Sequence, residues 1–121
     1  MTTATTTVDI QALTRAIESR DADGVLAWYA DDATLTLLDR DHPPAAPTVF
    51  DGHGPIGDYY RDICGRNIDH QVDEVIADGD RFSFVQRCRY PSGERVVCLT
   101  TAEVGADGLI TSQLGVQVWD S

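Results

Sequence analysis

The chain has 121 residues, enough for one hydrophobic core, and its 42% hydrophobic and 24% charged residues are the balance of an ordinary globular protein. Its formal net charge of -11 repels nucleic-acid phosphates and anionic bilayers, so neither is expected as a partner. It holds no apolar run long enough to span a membrane, and Met1–Thr7 lacks the charged-then-apolar order of a signal peptide.

Asp9 to Arg20 carries Ile10, Leu13 and Ile17 at helical spacing, with Thr7 or Asp9 as N-cap. Asp21-Ala22-Asp23-Gly24 breaks this helix. A second short helix is expected through Val25, Leu26 and Tyr29, with Asp31-Asp32 marking the turn out of it. The first strand then runs from about Ala33 to Leu38, where Thr34, Leu35, Thr36 and Leu37 favour extended backbone. Residues 39–47 contain Pro43, Pro44 and Pro47, which exclude helix and central strand and predict a stiff loop. Thr48-Val49-Phe50 reads as a short strand. A third helix follows, with Pro55 at its first position, an apolar stripe of Ile56, Tyr59, Tyr60 and Ile63, and Gly65 after its end.

The second half reads as a β-meander. Runs at 71–77, 81–90, 95–104 and 109–119 are separated by Asp78-Gly79-Asp80, Pro91-Ser92-Gly93 and Ala106-Asp107-Gly108, all strong turn signals. Helices with a small hairpin, followed by four antiparallel strands, give an α+β fold with helices on one face of a curved sheet. Cys64, Cys88 and Cys98 form an odd set without a close pair. They fit a reducing, cytoplasmic setting, and the simplest role for them is as buried thiols. His42, His53 and His70 lack the tight spacing of a metal site.

The run Arg20-Asp21-Ala22-Asp23-Gly24-Val25-Leu26-Ala27-Trp28-Tyr29-Ala30-Asp31-Asp32-Ala33-Thr34, the helix start Asp51-Gly52-His53-Gly54-Pro55-Ile56-Gly57-Asp58-Tyr59-Tyr60 and the closing meander resemble the nuclear-transport-factor-2-like superfamily. The similarity is to its SnoaL-like branch of polyketide cyclases and ketosteroid isomerases. It implies a cone, in which a strongly curved antiparallel sheet wraps around three helices from the N-terminal half and leaves a pocket at the open end. Residues 9–121 would form that one domain, and residues 1–8 a disordered tail. The resemblance also places the isomerases' general-base aspartate at Leu37, their oxyanion tyrosine at Leu13 and their protonated aspartate at Thr100. None of the three groups is present here, and no carboxylate stands on the pocket face where the cyclases carry theirs.

Asp39 shares the strand face of Leu35 and Leu37, so a base beside an apolar cavity is one expectation for it and a turn residue the other. His53 would be its proton partner or a plain loop histidine. His42 would sit at the pocket mouth, and His70 would be structural or exposed. In the last strand, patterning alone would bury Ile110, Leu114, Val116 and Val118 and expose the glutamines. The resemblance reverses this: Gln113 and Gln117, with Gln86, would line the pocket. The aliphatic outer face would then be covered by a second copy of the chain. Tyr29 and Tyr59 are core residues whose hydroxyls can reach the cavity.

These expectations describe a small cofactor-free protein with no metal. One reading is proton transfer on a small hydrophobic or carbonyl-bearing molecule, that is isomerisation, cyclisation or dehydration, with Asp39 and His53 as acid and base. The alternatives are a non-catalytic binding protein or a scaffold of the same fold.

Overall fold

The computed structural model describes residues 9–120, and the tail expected over residues 1–8 lies outside them. Asp9 caps α1 (Ile10–Glu18) by accepting a hydrogen bond from the Ala12 amide at 3.1 Å. The helix stops where Arg20 takes a φ of 58° and the Asp21 amide closes back on the Ala16 carbonyl. Asp21 then caps α2 (Ala22–Leu26) through the Gly24 amide at 3.0 Å.

The second helix is shorter than its sequence suggests. Tyr29 is the first residue of β1 (Tyr29–Leu38), and Asp31-Asp32 lies inside that strand, not in a turn. Tertiary pairing decides this. β1 runs parallel to β6, and the register slips between Tyr29 and Thr34, so the two aspartates bulge into water while Tyr29, Ala30 and Ala33 stay buried. β2 (Thr48–Asp51) pairs antiparallel with β1. α3 (His53–Cys64) begins two residues before Pro55, after Gly52 at φ 96°. Pro55 is tolerated in this first turn because its missing N–H would have had no helical partner.

β3 (Asp69–Asp78), β4 (Arg81–Arg89), β5 (Arg95–Val104) and β6 (Ile110–Trp119) form the expected meander. The sheet order is β2-β1-β6-β5-β4-β3. It is an open sheet, mixed and not purely antiparallel, because the long excursion through α3 and the meander brings β6 back parallel to β1. α1 lies on β3, and α3 lies on β1 and β2. Leu13, Val25, Leu35, Ile56 and Ile110 are fully buried between the layers.

Two bulges set which side chains face inward. Between Ile110 and Ser112, β6 carries one residue more than β5. Ile110 is therefore completely buried in the core, and the alternation restarts so that Gln113, Gly115 and Gln117 face in while Leu114 and Val118 are exposed. In β3, Glu74 adopts a φ of 52° at a second register shift between Asp73 and Ile76.

Candidate functional site

The inward residues of β1, β4, β5 and β6 and Tyr59, Tyr60 and Ile63 of α3 line a cavity of about 60 Å³. Leu35, Leu37, Ile63, Ile68 and Val96 make its wall largely apolar, and its polar groups are Tyr59, Tyr60, His70, Gln86, Gln113 and Gln117, with the thiols of Cys88 and Cys98. No carboxylate lines it among the described residues. Tyr90 closes one end. Its ring packs at a tilt against Trp119, with centroids 5.6 Å apart, and the Arg40 guanidinium lies 4.7 Å above the Trp119 ring.

Three polar groups at the cavity's inner end satisfy one another. The Tyr29 hydroxyl donates to the Gln113 side-chain carbonyl, the Gln113 amide donates to Tyr60 at 3.4 Å, and the two phenol oxygens are 2.6 Å apart. Desolvation raises Tyr29 well above its ordinary pKa and carries Tyr60 to about 12, so both stay protonated at neutral pH. Tyr59 differs. Burial raises it as strongly, but its hydroxyl has no hydrogen-bond partner among the described residues, and it faces the cavity near Tyr60, Cys98 and Cys88. Gln117 accepts from the Trp119 indole at 3.3 Å through its carbonyl, which leaves its amide hydrogens toward the cavity.

His70, read from the sequence as structural or exposed, is half-buried in the cavity wall. β3–β4 pairing sets it directly opposite Cys88. Its Nδ1 is 3.2 Å from the Cys88 sulfur and 3.0 Å from the Gln86 amide nitrogen. Burial lowers the pKa of the imidazole and pushes the Cys88 thiol up to about 11. The resting pair is therefore neutral thiol and neutral imidazole. Cysteine and histidine eighteen residues apart give no local motif; only the hairpin register joins them.

Asp39 and His53 are not brought together. The Asp39 carboxylate accepts from His42 Nδ1 at 2.8 Å and from the Asp41 amide at 2.9 Å, in a small bridge that opens the proline-rich loop. Burial pushes Asp39 up, but these hydrogen bonds outweigh it and hold the carboxyl below its usual range. Neither Asp39 nor His42 lines the cavity. His53 Nε2 donates to the Leu26 carbonyl at 3.2 Å, tying the end of α2 to the start of α3. Gln86, Gln113, Gln117 and Tyr59 do line the cavity, and Tyr29 reaches it through Gln113.

A family model described as the SnoaL-like domain matches residues 10–113. The chain belongs to the SnoaL-like family. No curated protein matches it at a significant level, but its fold recurs widely among solved structures. A nuclear-transport-factor-2-like protein of unknown function from Mesorhizobium loti superposes with a TM-score of 0.79 at 15% identity, over 90% of this chain and 87% of that one. SalBIII, an epoxide hydrolase/cyclase-like enzyme of pyran ring formation in the polyether salinomycin, gives 0.70 at 15% identity, over 90% and 87%. RV0760c from Mycobacterium tuberculosis, solved with estradiol-17β-hemisuccinate, gives 0.66 at 22% identity, over 88% of each chain. At such identities the likeness speaks for the fold alone. Within this SnoaL-like chain, Leu37 and Thr100 face the cavity and Leu13 is packed in the core, so the positions compared with the isomerases are occupied by groups that neither ionise nor hold an oxyanion as a tyrosine would.

Proposed function

We propose that this SnoaL-like chain binds a compact, largely apolar, carbonyl-bearing molecule in the inner cavity and moves a proton on it without a cofactor. The observation that carries this reading is the Tyr59 hydroxyl, a protonated donor with no partner among the described residues, held in an apolar wall. A ligand carbonyl would satisfy it, and the Gln117 amide supplies a second donor. His70 is the proton acceptor in this reading, because it is the imidazole in the cavity wall, whereas Asp39 is engaged by His42 and His53 by Leu26. The space of about 60 Å³ suits a ligand of about half a dozen non-hydrogen atoms, since one water needs roughly 10–15 Å³ of it.

The test uses cyclopentanone. Titration followed by amide NMR should perturb residues of β4, β5 and β6 at the cavity. Tyr59→Phe should weaken binding about tenfold, the worth of one hydrogen bond to a buried donor. In heavy water, deuterium exchange at the ketone's α-carbons should be accelerated by the protein and lost in His70→Asn. Binding that ignores Tyr59, or no binding, overturns the reading.

The absence of a carboxylate from the cavity wall among the described residues favours a second reading, a binding protein of the same fold with no chemistry. Binding without accelerated exchange would select it. For the assembly, we propose a homodimer through the outer sheet face, supported by the exposed Leu99, Leu114 and Val118 on the adjacent strands β5 and β6 and by Ile76 on β3, across β4 from them.

A further inference from the structure

We infer that Cys88 and His70 form a nucleophilic pair and that the molecule the cavity takes is an α,β-unsaturated carbonyl compound, to which the Cys88 sulfur adds. The inference rests on the carbonyl-binding reading above and narrows its ligand class. Three facts carry it. The sulfur and Nδ1 are within hydrogen-bonding distance at 3.2 Å. Both groups open on the cavity. Tyr59, whose hydroxyl has no hydrogen-bond partner among the described residues, lines the same cavity from α3.

The step balances without any added oxidant or reductant. The thiol proton passes to His70 Nδ1 as the sulfur bonds to the ligand's β-carbon. The π-electron pair moves to the carbonyl oxygen, which becomes an enolate oxygen accepting the Tyr59 hydrogen bond. The proton on Nδ1 then goes to the α-carbon, and the net change is addition of S–H across the double bond. Reversal after rotation about the former double bond isomerises an open-chain ligand.

Gln86 sets when the pair is free. Its amide nitrogen, 3.0 Å from Nδ1, and the thiol compete for the single lone pair there. A ligand oxygen that draws the Gln86 amide to itself leaves Nδ1 to the thiol. The raised thiol and lowered imidazole agree with this: they leave the pair neutral at rest and reactive through base-assisted attack, not as a preformed thiolate. Cys98 provides the internal contrast. It lines the same cavity, but its partner is the Thr100 hydroxyl at 3.7 Å and not an imidazole.

The experiment incubates the full chain with 2-cyclopentenone at neutral pH and maps the adduct by mass spectrometry, with cyclopentanone binding measured in parallel. The expected result is an adduct on Cys88, formed at least about tenfold faster than on Cys64 or Cys98 and slowed about 100-fold by His70→Asn. Circular dichroism and the urea unfolding midpoint check that this variant is folded, and His70→Gln serves if it is not. Adducts confined to Cys64 or Cys98, or a Cys88 rate indifferent to both His70 variants, overturn the inference. Cyclopentanone binding with no Cys88 adduct overturns it and leaves the carbonyl-binding reading intact. A His70-dependent Cys88 adduct without cyclopentanone binding supports the thiol pair and removes the carbonyl-binding reading.

Discussion

The hydroxyls of Tyr29 and Tyr60, carried by β1 and α3, lie 2.6 Å apart in the interior. With Gln113 they close a ring in which each group donates to the next. Tyr60→Phe breaks two of its links and leaves a buried amide hydrogen and a phenol oxygen unpaired. The expected loss of stability is about 1–3 kcal/mol, read from the urea unfolding midpoint. An unchanged midpoint would mean that the ring contributes nothing to the folded state.

All four tyrosines, Tyr29, Tyr59, Tyr60 and Tyr90, have pKa values raised first by burial. The folded chain keeps protons that the unfolded chain releases near pH 10. The associated stability is therefore complete below pH 10 and is lost as pH rises toward about 12, where Tyr60 titrates. Tyr60 alone accounts for about 3 kcal/mol over that window. Phenolate absorbance should appear late and together with unfolding. Ionisation of several tyrosines near pH 10 in a chain that stays folded would contradict the buried ring.

Asp39 is engaged by His42 and stands outside the cavity wall. Asp39→Asn should leave cyclopentanone affinity within about twofold, as expected for a substitution away from the binding groups. Its depressed pKa contributes stability that is present above the unfolded value and is lost as pH falls, so the variant should flatten the acid limb of the stability profile. A tenfold loss of affinity would return Asp39 to the site.

The outer sheet face exposes Leu99 at 53% and Val118 at 66%. If a second copy covers it, Leu99→Lys should yield monomers by light scattering while leaving the inner cavity unchanged. A monomeric parent chain would refute the dimer.

Local signals read the meander well. Asp78-Gly79-Asp80 and Ala106-Asp107-Gly108 turn the chain where turn chemistry predicts. Tyr29 was harder, because helical spacing from Leu26 suits it and only pairing with Ile110 at the far end of the chain makes it a strand residue. The face of Gln113 and Gln117 was legible through resemblance and not through patterning, since the bulge before Ser112 shifts the alternation that Ile110 begins. Strand alternation from Leu37 pointed to Asp39 and the helix-entry turn to His53, but Asp39 is held by His42 and His53 by the Leu26 carbonyl. The imidazole that reaches the cavity is His70, whose neighbours Gln86 and Cys88 lie on another strand and leave no trace in the spacing.

The left-handed residue Glu74 has a consequence well away from itself. Near the hairpin turn, paired residue numbers sum to 159, as in Asp78 with Arg81; beyond the bulge they sum to 158, as in His70 with Cys88. Were the bulge to straighten with no residue lost, the turn's register would carry onward and set His70 against Arg89. The imidazole would swing to the outer side of the cone, and the thiol would lose its base with no change to any residue in the cavity wall. A strand pairing that erased this bulge would thus separate ligand binding from chemistry in this chain, with the sequence unaltered.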